Sequence, residues 1–260
     1  WIAAARGIMT TDTVHKAASR RVDIDGRAVS VSGIAKGAGM IHPDMATLLV
    51  FVTTDAPASP ELLQPLLTRV IDDTFNCVTI DGDSSTNDTV LLLANGAAGG
   101  DEIVAGSSGA AALEQAVLTV CESLAEQVVA DAEGSEKHFE VVVRGAADDV
   151  QARTAARVVA GSPLVKTAIH GSDPNWGRIV AALGRSGATF TLDRCSVAIG
   201  GLPVFAAGSP APVDDGALRA HLAGSRIEVA IDLGAGEGRG RAWGCDLTAE
   251  YVHINADYTT

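Results

Sequence analysis

The chain has 260 residues, 47% hydrophobic and 20% charged, which is enough to bury a core as one sizeable domain or two packed lobes and too apolar for a disordered segment. A formal net charge of −13 argues against a nucleic-acid-binding or anionic-membrane face, either of which needs basic residues to meet phosphates, and favours a small-molecule substrate. No apolar run reaches about 18 residues and no basic start leads into a signal-like core. Cys77, Cys121, Cys195 and Cys245 form no C-x-x-C pair, so the expectation is a soluble, cytoplasmic protein with buried free thiols and neither zinc site nor disulfide framework.

The chain opens on Trp1 inside an apolar segment, Trp1-Ile-Ala-Ala-Ala5, as a chain continuing from further upstream would. Residues 21–31 alternate around Asp25-Gly26, the strongest short-range hairpin signal. A glycine-rich approach over 33–39 leads to an apolar strand from Thr47 to about Thr54. Ser59 and Pro60 start a helix that carries Leu62, Leu63, Leu66 and Leu67 to about Phe75. Residues 78–80 and 90–93 read as short buried strands flanking a polar loop. Leu113, Val117, Val120, Leu124 and Val128 recur at helical spacing, predicting a long amphipathic helix over 109–131 that stops at Gly134. Strands follow at 139–143 and 165–169, with helices at 148–159 and 175–183. The remainder alternates strands with one short helix near 213–222. Hairpin-like connections between alternating strands and helices favour a layered α/β sandwich, two sheets with helices outside, over a doubly wound parallel sheet.

The run Gly37-Ala-Gly-Met-Ile-His-Pro-Asp-Met-Ala46, followed by Thr47 and the apolar residues 48–52, carries the chemistry. If the Ala46-Thr47 bond breaks, Thr47 gains a free amine beside its own hydroxyl, a complete nucleophile-plus-base pair. An α-amino group titrates near 8, so about a tenth of it is neutral at pH 7 and ready to accept a proton. The Ala-Thr step alone means little, since Ala188-Thr189 repeats it without that setting.

Asp81-Gly-Asp-Ser-Ser-Thr-Asn-Asp88 packs three carboxylates into eight residues but lacks the Glu that closes a calcium loop. It reads as a hydrogen-bonded turn beside a site, with a calcium or magnesium site as the alternative. The glycines of 33–39 and 234–240 miss both the phosphate-loop and the dinucleotide spacings. Lys36 stands eleven residues before Thr47, within reach of a substrate carboxylate, where a charge-assisted bond is worth about 1.5–3 kcal/mol. Residues 173–178 read as a turn capping a helix with Trp176 in the core, and His170 as a satisfied loop histidine.

Five segments together resemble the ornithine acetyltransferase family of arginine biosynthesis, also called glutamate N-acetyltransferase: Met9-Thr-Thr-Asp-Thr13, residues 33–41 with Met45-Ala-Thr47, residues 81–90, Gly171-Ser-Asp-Pro-Asn-Trp-Gly-Arg178 and Ile254-Asn-Ala-Asp-Tyr258. Their order matches along essentially the whole chain. The resemblance implies an αββα fold of the N-terminal-nucleophile type. It implies self-cleavage between Ala46 and Thr47, with residues 1–46 ending an α chain and 47–260 forming a β chain, packed as one intertwined catalytic unit. The acetyl group would pass from N-acetylornithine to glutamate through acetyl-Thr47. No cofactor and no metal are implied, and in many members acetyl-CoA also serves as donor. By matching motif, Thr10, Lys36, Thr47, Glu133, Asn255 and Thr260 would bind substrate. Lys36 and Glu133 supply the opposite charges that an amino-acid substrate needs. The family usually assembles two α and two β chains.

The sequence departs from the family at three places. The family's Thr-Gly oxyanion pair lies upstream of Thr10 and has no counterpart among these residues. Thr259 stands where an arginine is usual, and the Ile41-His-Pro-Asp44 spacer is variable among relatives, some of which act in clavulanic acid biosynthesis. Two rivals remain: a related self-processing aminopeptidase or amidase, in which water accepts the acyl group, and a binding protein that does not turn over.

Overall fold

The computed structural model describes residues 1–42, 48–84 and 87–257. The chain divides into two compact units, residues 1–76 with 83–131, and residues 77–82 with 132–260. In chain order the elements are α1 (Ile2–Gly7), β1 (Lys16–Ile24), β2 (Arg27–Lys36), β3 (Leu49–Thr54), α2 (Pro60–Asp73), a 3₁₀ turn (Phe75–Cys77), β4 (Val78–Thr79), β5 (Thr89–Ala94) and α3 (Ser108–Ala130). They continue with β6 (His138–Ala146), α4 (Asp149–Ala160), α5 (Pro163–His170), α6 (Trp176–Gly184), β7 (Ser196–Ile199), β8 (Leu202–Ala206), β9 (Ser209–Pro210), α7 (Asp215–Leu222), β10 (Arg226–Asp232), β11 (Gly238–Cys245) and α8 (Ala249–Asp257). Among the described residues, no helix is long and apolar enough to cross a membrane.

The first unit is a four-stranded sheet in the order β1-β2-β3-β5. Asp25 and Gly26 both take positive φ at the β1–β2 turn, as a two-residue hairpin loop requires. β2 runs antiparallel to β3, and β3 parallel to β5, with α2 in the crossover between them. Helix α3 lays Leu113, Val117, Val120, Leu124 and Val128, all buried, over this sheet, where it packs on β1 and β2. The approach is close because β2 carries Gly33: a Cβ there would stand 2.9 Å from Leu124 Cδ1.

The second unit is built on a seven-stranded sheet in the order β4-β11-β6-β10-β7-β8-β9. Helix α4 covers β6 and β11 with Ala152, Ala155, Ala156, Val159 and Ala160. Trp176, the first residue of α6, stacks on Phe205 at 5.0 Å, as core packing predicts. The expected class, mixed α/β with helices flanking the sheets, is the one observed.

The structure corrects two segments and adds two helices, α1 and α8. Residues 165–169, expected as a strand, form helix α5: Pro163 occupies its first turn after Ser162, and Val165, Ala168 and Ile169 are buried at helical spacing. Residues 90–93, expected as a buried strand, lie on the edge strand β5, with Leu91 43% and Leu93 51% exposed. Helix α8 was not expected. Its first turn is capped by Thr248, whose hydroxyl accepts from Tyr251 N at 3.1 Å and donates to Gly134 O at 2.6 Å.

Candidate active site

Strand β2 places Lys36 at its last position, 7% exposed. The strand's antiparallel register sets Lys36 opposite Leu49, the first residue of β3 and two residues after Thr47. Cα atoms of such pairs lie about 5 Å apart, so the cation stands beside the start of the strand that Thr47 precedes. Lys36 Nζ donates to Thr10 Oγ1 at 3.3 Å. Thr10, on the loop between α1 and β1, is exposed.

In the second unit, Asn255 on α8 donates from Nδ2 to Glu133 Oε2 at 3.1 Å and to Tyr251 O at 3.0 Å. The sequence-predicted binding residues thus meet as two pairs, Thr10 with Lys36 and Glu133 with Asn255, one pair in each unit. Ala46, Thr47 and Thr260 lie outside the described residues.

Asp88, last of the acidic run, accepts the backbone N–H of Leu48 at 2.7 Å. This carboxylate therefore orders the residue that follows Thr47. Its other oxygen, Oδ2, is buried and meets no donor among the described residues. A cavity of about 290 Å³, walled by Ile41, Leu48, Leu67, Ile71, Phe75 and Val90, opens beside it. Burial pushes the carboxyl of Asp88 up to about 6, against the opposing pull of the Leu48 amide and the Lys36 charge.

Sequence reasoning passed over a buried network beneath the Thr10–Lys36 pair. Lys16, wholly buried, donates to Asp12 Oδ1 and Asp131 Oδ2, both at 2.6 Å. Asp12 also accepts the amides of Thr10 (3.1 Å) and Gly37 (2.7 Å). Asp131 accepts the amides of Thr13 (3.1 Å) and Val14 (3.4 Å) and the Thr13 hydroxyl. Burial raises the Asp12 carboxyl, but the bonds from Lys16, Gly37 and Thr10 together hold it below its ordinary range. The available signal was Asp12 within the Met9–Thr13 motif and Lys16 four residues on, a spacing that no rule marks as a site.

Elsewhere in the second unit, Asp246 accepts from Ser135 Oγ and from the amides of Glu136 and Lys137 through Oδ1, and pairs through Oδ2 with His170 Nδ1 at 2.8 Å. His170 is thus a satisfied histidine, as expected. All four cysteines are buried and unbridged, and burial pushes the Cys121 thiol up to about 12.

Residues 2–260 match the family described as ArgJ. The chain belongs to the ArgJ family. It is 48% identical over 256 residues to the arginine biosynthesis bifunctional protein ArgJ of Dehalococcoides mccartyi (strain CBDB1), covering 98% of this chain and 63% of that protein. To the protein of the same name from Ruegeria pomeroyi it is 50% identical over 258 residues, covering 98% and 62%. The crystal structure of the arginine biosynthesis bifunctional protein ArgJ from Bacillus halodurans matches with a TM-score of 0.78 at 41% identity, over 80% of this chain and 98% of that one. The chain therefore spans under two thirds of the length of these curated ArgJ relatives.

Proposed function

We propose that this chain carries the nucleophile-bearing part of a self-cleaving acetyltransferase that moves an acetyl group from N-acetylornithine to glutamate in arginine biosynthesis. Scission at Ala46-Thr47 frees the Thr47 amine. That amine takes the Thr47 hydroxyl proton as the oxygen attacks the acetyl carbonyl, then returns a proton to the departing ornithine amine. The resulting acetyl ester is attacked by the amine of glutamate, which leaves as N-acetylglutamate and restores free Thr47. Lys36 and Thr10 receive the substrate carboxylate, and Glu133 with Asn255 the ammonium group. Acetyl-CoA is a second donor to the same threonine. The mature assembly contains two α and two β chains.

The observation that carries this reading is the β2–β3 register, which sets the buried Lys36 opposite Leu49, two residues after Thr47.

Intact mass tests the first step. The purified protein is expected to yield fragments of 46 residues and of the remaining 214 from the 260 of this chain, and Thr47→Ala to stay whole. Incubation with N-acetylornithine should give N-acetylglutamate only when glutamate is present. Acetate release unaffected by glutamate would instead identify an amidase, and an uncut, unacylated wild type would end the enzymatic reading.

A further inference from the structure

The two groups proposed to receive the substrate carboxylate come from segments that the sheet does not join. The β1–β2 ladder ends at the Lys16–Ala35 pair, one residue short of Lys36, and Thr10 lies six residues ahead of β1. Where the ladder stops, Asp12 takes over: Oδ1 accepts the amide of Gly37, directly after Lys36, and Oδ2 accepts the amide of Thr10. The geometry points to Asp12 as a positioning residue for substrate binding, a single carboxylate that sets Thr10 and Lys36 in mutual register through their backbones.

This inference rests on the acetyltransferase reading for the roles of Thr10 and Lys36. The clamp itself is a matter of geometry and charge. It needs both oxygens, because Oδ1 already serves Gly37 and Lys16 while Oδ2 serves Thr10. An asparagine has one acceptor oxygen and would turn an N–H₂ group toward one of those donors. The carboxylate can be buried because Lys16 neutralises it, and Asp131 fastens Lys16 from the other side. Asp12 touches no substrate in this arrangement. It acts through Thr10 and Lys36, so its loss should weaken binding of both amino acids and leave the chemistry at Thr47 nearly intact.

The test compares wild type, Asp12→Asn and Asp12→Glu in the processed protein. Two readouts are taken: KM and kcat for N-acetylornithine and glutamate, and hydrogen exchange of residues 8–13 and 35–39. Asp12→Asn is expected to raise both KM values roughly tenfold or more while kcat stays within about threefold. It should also speed exchange in both segments. Asp12→Glu keeps both oxygens on a longer arm and should fall between the two proteins; if the asparagine variant does not fold, the glutamate variant decides alone.

Unchanged KM values overturn the assignment. So does a parallel loss of kcat and KM affinity with faster exchange throughout the first unit, since that marks general destabilisation. If wild type moves no acetyl group, the acetyltransferase reading falls separately. The exchange comparison still judges the clamp, and unchanged exchange in either segment would overturn it.

Discussion

The proposed role of Lys36 draws on its burial, since a cation 7% exposed attracts a carboxylate with little competition from water. Replacing it with methionine keeps the packing and removes the charge. Lys36→Met is expected to raise KM for both amino acids about 10- to 100-fold, the range of a charge-assisted hydrogen bond, with processing at Ala46-Thr47 read by mass in the same sample. Asp88 works in the opposite sense. Its folded-state value, about 6, lies above its ordinary 3.8, so the ionised carboxylate opposes folding. That penalty is absent below about pH 4, grows between about 4 and 6, and is complete above. The melting temperature of Asp88→Asn relative to wild type should therefore be higher at pH 8 than at pH 4.5; an equal difference at both would show that Asp88 ionises normally. Thr10 and Lys36 could be named from the sequence, since each lies in a motif. Asp12 shares the Met9–Thr13 motif, but its pairing with Lys16 and Asp131 could not be named, because Asp131 is 115 residues from Lys16 and only the packing of α3 on β1 brings it there.

At the scale of elements, the Glu133–Asn255 pair depends on how α8 docks against the turn after α3. Gly134 takes φ +65, and a Cβ there would stand 2.5 Å from Tyr251 N and 2.8 Å from Glu250 C. Gly134→Ala should cost about 1–3 kcal/mol for backbone conformation alone. It should also push the first turn of α8 away, separating Asn255 from Glu133; thermal melting and KM would register the two effects. Leu124→Ala should cost about 2–5 kcal/mol by opening a cavity between α3 and β2, without altering which residues bind. The elements with a clear period, α3 above all, could be drawn from the sequence within a residue or two. The error at 165–169 arose because Val-Lys-Thr-Ala-Ile satisfies a short strand as well as a short helix. Ser162-Pro163 carried the arbitrating start signal. Helix α8 escaped notice for a different reason: it buries no residue completely, so it shows no apolar stripe.

Across the whole molecule, the proposed cut falls within the first unit and not between the units. Strand β2, from the 46-residue fragment, is hydrogen-bonded to β1 on one side and to β3, from the 214-residue fragment, on the other. Six residue pairs from Val31–Thr54 to Lys36–Leu49 join them. The two fragments should therefore co-elute as one species after processing and separate only in denaturant; separation under native conditions would contradict this sheet. The sequence on its own carried the class of fold, and it put forward the nucleophile and charged groups on which the proposed function rests, because periodicity, turn chemistry and short motifs are local properties. Beyond the β1–β2 hairpin it did not give the strand neighbours, it misjudged the exposed edge at β5 as buried, and it was silent on the buried carboxylates that hold Thr10 and Lys36. Those depend on contacts between residues far apart in the chain, formed when apolar faces pack and buried charges must find partners.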